Sequence, residues 1–297
     1  MSQKGSHMRK TLSAAALAAS LLLSAAAAQA QQRFATPQEA ASAFVDALIS
    51  RDSPSMSRIL GADWKRYVPT DGVDSDDVTD FLAAWSQGHR IESDGKLAHL
   101  QVGPDHWQLP IPLVMRAGQW QFDTRAGANE IQARRIGRNE LDTIRSLLAV
   151  VDAQREYSAV DHNGDGIPEY ARRFISTPGQ QDGLYWPTPE GAPVSPLGPL
   201  FAEHLPGEGY HGYRYRLLQS QGPNARGGAR DYRIKGRLTA GFGVVAWPVK
   251  YGETGVMSFI VNHDGVVYQK NLGPDSARKA RAMESFDPDP SWTKVSP

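Results

Sequence analysis

The sequence predicts an α+β protein of two domains, and three observations carry that prediction. Residues 36–88 hold apolar side chains at three- and four-residue spacing, the period of a helix, and after them the period drops to two. A second helical pattern, longer than any before it, spans residues 139–157. Alternating runs close the chain, so helices and antiparallel strands stay in separate blocks rather than interleaving as they do around a parallel sheet.

The first element has readable ends. Thr36 stands as N-cap, Pro37 at the first helical position, and Glu39 where it can close a capping box. Ala41, Phe44, Val45, Leu48 and Ile49 then form one apolar stripe. Ser53-Pro54 opens a second helix that stops at Gly61, and a third from about Ser75 carries Val78, Phe81, Leu82 and Trp85 before Gly88. Strand-like runs follow at residues 97–102, 107–115 and 119–123, with Ala117-Gly118 as a tight turn. Pro110 and Pro112 demote the middle run to an edge or bulged strand. These elements define a first domain over residues 31–126, an outline that resembles the nuclear-transport-factor-2-like (NTF2-like) cone. Its alternative use is as an enzyme or small-ligand site, with His99, His106 and Asp123 facing into the cone and Leu100, Val114 and Phe122 filling it if it is structural.

The second domain, residues 127–297, begins with the long helix. Leu141, Ile144, Leu148 and Val151 are expected in its core, and Asp142–Arg145 and Asp152–Arg155 as exposed i,i+3 pairs. Residues 176–209 then hold seven prolines and six glycines, a composition typical of disorder. Leu184, Tyr185, Trp186, Leu197, Leu200 and Phe201 lie within it, so a loop packed onto the domain is expected instead. About four antiparallel strands complete the domain, the last two flanking an Asp264-Gly265 hairpin turn.

Residues 1–30 are set apart from the fold. Gly5-Ser6-His7-Met8 reads as a cloning remnant. Arg9-Lys10, the Ala/Leu-rich run after them and Ala28-Gln29-Ala30 have the three parts of a signal peptide cleaved after Ala30. The expected location is therefore the periplasm, with no membrane span once the signal is removed. The chain has no cysteine, so packing alone must hold it together. Its 32 basic and 32 acidic side chains balance, and the signal region takes three of the basic ones. A nucleic-acid partner would call for a basic surface, and none is expected.

Across nearly all of the chain after residue 34, a set of motifs resembles the bacterial exported family catalogued as domain of unknown function 2950. They include Gly118-Gln119-Trp120-Gln121-Phe122-Asp123-Thr124, Arg134-Arg135-Ile136-Gly137-Arg138-Asn139-Glu140-Leu141, Val151-Asp152-Ala153-Gln154-Arg155-Glu156-Tyr157, Asp182-Gly183-Leu184-Tyr185-Trp186 and Ser195-Pro196-Leu197-Gly198-Pro199-Leu200. That resemblance implies export and supplies no catalytic residues. Residues 144–157, with their Ala-Gln-x-x-Tyr ending, together with the strands after Gly212, resemble the spine and globular head of a type IV pilin. The apolar first half of a pilin helix has no counterpart, so the resemblance implies a head that does not polymerise.

Two kinds of site are legible. In residues 161–169, Asp161, Asn163 and Asp165 offer side-chain oxygens at loop positions one, three and five, Ile167 a main-chain carbonyl at seven, and Glu169 an oxygen at nine. That pattern fits calcium, although position twelve is Arg172 where a bidentate Glu belongs, and a polar turn explains the same residues. Arg134, Arg135 and Arg138 at the start of a helix oppose its dipole, which marks them for a phosphate or an acidic partner, although a solvated helix start explains the same residues. Arg226, in a glycine-rich connection, follows the same logic, and Tyr185 with Trp186 offers an aromatic surface. No nucleophile elbow, P-loop or dinucleotide fingerprint occurs, so the expected function is non-enzymatic: binding a protein partner of the envelope, linked to a pilus or secretion apparatus.

Overall fold

A computed structural model describes residues 30–68, 75–189, 191, 194–204 and 209–295. The expected signal segment and part of the Pro/Gly-rich loop lie outside them. The chain divides into two compact units, Met1–Ile131 and Gln132–Pro297, each a mixture of helix and antiparallel sheet. No helix among the described residues is long and apolar enough to cross a membrane.

The first unit opens with α1 (Pro37–Ile49), α2 (Ser53–Leu60), the single turn α3 (Trp64–Tyr67) and α4 (Ser75–Gln87). Thr36 Oγ1 accepts from Glu39 N at 3.1 Å, and Glu39 reaches back to Ala35 N at 3.2 Å, so the start of α1 has its exposed N–H groups satisfied from both sides. Asp52, not Ser53, caps α2 by accepting from Ser55 N at 3.1 Å.

Five strands follow: β1 (His89–Ser93), β2 (Leu97–Val102), β3 (Trp107–Gln108), β4 (Leu113–Arg116) and β5 (Gln119–Phe122). They pair in the order β1-β2-β4-β5, with β3 also on β2. The run at 107–115 is thus two short strands, because Pro110 and Pro112 lack the N–H that a continuous ladder needs. β1 carries no apolar alternation in the sequence; it is an exposed edge strand held by main-chain pairing to β2. Ala98, Leu100, Val102, Leu113, Trp120 and Phe122 point to one face and pack on Phe34, Phe44, Val45, Ile59 and Leu60. Phe44 and Phe122 meet at 5.4 Å between ring centres.

α5 (Thr124–Ser158) starts fifteen residues earlier than its apolar pattern. Asp123 caps it, accepting from Ala126 N at 2.9 Å. Its first half is polar and shows no stripe, yet the helix runs on without a break through Gly127 and Gly137. The boundary expected at residue 127 therefore lies inside this helix. Gly127 has a packing role in the first unit, since a Cβ there would come within 2.7 Å of Ile111.

In the second unit the buried face of α5 runs through Thr143, Ile144, Leu147, Val150, Val151, Gln154 and Tyr157. Leu141, expected in the core, is 55% exposed, and Leu148 is only half-buried. Both sit one step round the helix from the stripe that meets the sheet. After α6 (Pro199–His204) the strands are β6 (Tyr213–Leu218), β7 (Ser220–Gln221), β8 (Arg230–Asp231), β9 (Arg233–Ile234), β10 (Arg237–Leu238), β11 (Gly243–Pro248), β12 (Ser258–Asn262), β13 (Tyr268–Lys270) and β14 (Thr293–Lys294), with α7 (Ser276–Arg281) before the last. The main sheet is antiparallel in the order β14-β13-β12-β11-β6, and β12 pairs with β13 across the Asp264-Gly265 turn as expected. β7–β8 and β9–β10 are separate two-stranded ribbons, so the second unit has more strands than the four the sequence suggests. β11 and β12 are buried at every position, because each face of the sheet is covered. Tyr213, Val244, Ala246, Phe259 and Val261 meet α5. Leu218, Val245, Trp247 and Ile260 belong to a second core with Ala280 of α7 and Phe286.

Candidate functional site

Residues 194–204 of the second unit form a layer that presents the large apolar side chains of Val194 and Leu200 to solvent. Beneath it, Leu184, Trp186, Leu197 and Phe201 are buried, so the described part of the Pro/Gly-rich segment is packed chain rather than a solvated linker. Two side chains of α5 hold its approach. Gln154, fully buried, donates to and accepts from the main chain of Ala171 at 3.0 and 2.8 Å, and Tyr157 Oη donates to Gln181 O at 2.6 Å. These contacts give the Ala-Gln-x-x-Tyr motif a physical role. Burial, with Glu169 and Asp182 nearby, pushes the Tyr157 phenol up to about 12, so it stays a donor.

Outside this packed layer stand Leu200 and Val194, 63% and 75% exposed, and Leu141. Phe201 anchors Tyr210 at 5.0 Å between ring centres, and Tyr210 lies 4.1 Å from the ring of His211. His211 is set by a two-residue turn: its φ is 50° and that of Gly212 is 73°, and Tyr210 and Tyr213 exchange main-chain hydrogen bonds across it. A Cβ at Gly212 would also lie 2.8 Å from Asn139, so only glycine fits. The imidazole Nδ1 comes within 3.8 Å of Asp142, whose other oxygen accepts from Arg145 at 3.0 Å. Sequence reasoning misses the exposure of Leu141 and Leu200, since periodicity puts Leu141 in the core and composition puts Leu200 in loop packing.

Residues 161–169, read as a calcium loop or a polar turn, are held by internal hydrogen bonds. Asp161 accepts from the N–H groups of Asn163, Gly164 and Gly166, the last at 2.6 Å, and this bond first of all holds its carboxyl below the usual range. Asn163 accepts from Asp165 N, Asp165 from Ile167 N, and Asn163 donates to Glu169. Arg237 of β10 takes Asp165 as its ion partner. Among the described residues, no three or more His, Cys, Asp or Glu side chains are grouped to hold a metal. The oxygens of Asp161, Asp165 and Glu169 face N–H groups and a guanidinium rather than one point.

Arg135 donates to Glu253 O at 3.2 Å, Arg134 is half-buried and Arg138 is exposed. The same stretch of α5 holds down residues 250–257 through Gln132 to Gly252 O, Asn139 to Thr254 O at 2.8 Å, and Glu140, which accepts from Val256 N and Met257 N at 2.8 and 2.9 Å. The Arg134-to-Leu141 motif is thus a docking strip for a loop. Arg226 is exposed in the β7–β8 connection, where its carbonyl accepts from Gln221. Tyr185 is half-buried against the core and Trp186 is 9% exposed, so they form no open aromatic surface.

In the first unit, His99, His106 and Asp123 do not converge. Strand alternation turns Ala98, Leu100 and Val102 to the core, so His99 faces the other side and bonds Gln108 at 3.0 Å. His106 is exposed in a turn, and Asp123 caps α5 while pairing with Arg116 at 3.2 Å. A polar cavity of about 550 Å³ lies by that cap, lined by Gln31, Asp63, Tyr67, Arg116, Asp123 and Arg125 among others.

No curated protein and no solved structure matches this chain. The motifs that organise both units, from Trp120 to the final hairpin, fall within residues 31–295, which match one family model, and the chain belongs to that family, described as "Protein of unknown function (DUF2950)".

Proposed function

We propose that this chain is an exported, non-enzymatic module of the bacterial cell envelope that binds another envelope protein through the exposed apolar side chains of Val194 and Leu200. The observation that carries the reading is a loop whose large residues split in two: Leu184, Trp186, Leu197 and Phe201 are buried, while Val194 and Leu200 stand out. A segment whose described residues are buried to this degree, yet which leaves Val194 and Leu200 in water, fits a preformed docking surface. The long helix laid on an antiparallel sheet supports a pilin-like head, and a link to a pilus or secretion apparatus. Polymerisation is not part of this reading, because Arg125, Glu130, Arg134, Arg135 and Arg138 occupy the first half of the helix. The helices over a five-stranded sheet support an NTF2-like first unit, with Leu100 and Phe122 filling its interior as a structural core would.

The test is in-cell photo-crosslinking from Val194 and Leu200. A single envelope protein should be captured, and Leu200→Asp should abolish its capture while leaving the melting temperature unchanged. Equal capture by Leu200→Asp, or no capture from either position, overturns the proposal.

A further inference from the structure

Gln31 is the residue that cleavage after Ala30 leaves at the mature N-terminus, so its role as a chain end rests on the proposed export. A free N-terminal glutamine closes on itself. Its α-amine attacks the side-chain Cδ, a C–N bond forms, the bond from Cδ to Nε2 breaks, and ammonia leaves with a proton from the amine. The product is a neutral five-membered lactam, formed without any co-reactant. Ring closure requires the side chain to curl back over its own main chain and Nε2 to be free to depart.

The structure commits both. Gln31 Nε2 donates to Ile59 O at 2.9 Å and to Phe122 O at 2.7 Å, two carbonyls from different elements, α2 and β5. Gln121 Nε2 donates to Gln31 Oε1 at 3.4 Å. The next residues are held just as closely: Gln32 N donates to Arg58 O at 2.7 Å, and Phe34 exchanges two main-chain hydrogen bonds with Trp120 at 2.8 Å. Phe34 itself is 7% exposed. Anchoring thus begins at the residue that the Ala28-Gln29-Ala30 motif would make the first one. Carbonyls from two elements take both hydrogens of one carboxamide nitrogen, a geometry that a lactam, lacking that nitrogen, cannot reproduce.

We infer that Gln31 is an N-terminal latch: docked through its carboxamide, it joins the new chain end to α2 and β5 and persists as an open glutamine with a free α-ammonium. Each of its hydrogen bonds must break before the ring can close, so cyclisation in the folded protein is slower than in the unfolded chain by about tenfold or more.

Two mass measurements separate this inference from the export reading. Intact mass of protein recovered from the periplasm reports where the mature chain begins; a start other than Gln31 overturns the export reading and with it the physiological role of the latch. The latch itself is tested on protein cut in vitro directly before Gln31 and incubated folded or in denaturant. Loss of one ammonia is expected in the denatured sample, with the folded sample retaining it. Equal rates of loss overturn the latch. Gln31→Ala, which cannot cyclise, should melt below the freshly cut wild type, and an unchanged melting temperature likewise counts against it.

Discussion

At His263 the structure makes a group that resists protonation. Its Nε2 accepts from Arg230 at 3.0 Å, which leaves the ring hydrogen on Nδ1, a buried atom with no partner. Tyr232 and Phe242 flank the ring, and Arg155 reaches its carbonyl. Burial lowers its pKa from the ordinary 6.5; Asp264 acts against that and Arg230 with it. The unfolded chain therefore binds more protons below that pH, so stability is full above 6.5 and is lost as pH falls toward the lower folded value. Melts from about pH 7.5 to about pH 5 should show this loss, and His263→Gln should flatten it. Asp165 offers a second test at this scale. With Arg237 as its partner, calcium must displace a cation to bind, so calcium at about 1 mM should raise the melting temperature of Arg237→Gln more than that of wild type. A rise in wild type that Asp165→Ala removes would instead favour the calcium loop.

At the scale of elements, α5 shows how a helix chooses its face. The apolar residues at 141, 144, 147, 148, 150 and 151 spread over half the circumference, and sequence alone ranks Leu148 with Leu147. The sheet accepts the strip through Ile144, Leu147 and Val151, where Leu147 has no exposure and Leu141 has 55%. Leu147→Ala should therefore cost about 2–5 kcal/mol, while Leu141→Ala should stay within about 0.5 kcal/mol, both read by denaturant unfolding. The helix start is a related case. Residues 124–138 lack a stripe because their work is polar: Gln132 and Arg135 bind carbonyls of residues 252 and 253 rather than burying surface.

For the whole molecule, the division at Ile131 and Gln132 falls inside a continuous helix. The second unit owns two cores and four side chains on α5 that hold residues 250–257. A fragment of residues 132–295 should unfold in one cooperative transition by calorimetry. A fragment beginning at Leu141 loses Gln132, Arg135, Asn139 and Glu140, leaves two N–H groups without their carboxylate, and should melt well below it. Equal melting of the two would mean that the docking strip adds no stability.

The sequence by itself determined the α+β class, the caps at Thr36 and the Asp264-Gly265 turn, the interruption at Pro110 and Pro112, and the family. These are local: a missing N–H, a positive φ or a period of apolar residues acts within a few positions. Only the tertiary structure decided which half of an apolar stripe is core, that edge strand β1 exists, and that Glu140, Gln154 and Gln31 each bind main chain from elsewhere in their unit. It also turned His99 away from the core, set Arg237 on Asp165, and left Leu200 in water. Those outcomes depend on partners that are distant in sequence, 17 residues away for Gln154 and 116 for Glu140. A polar side chain carries no periodic mark of such a partner, so only folding reveals it.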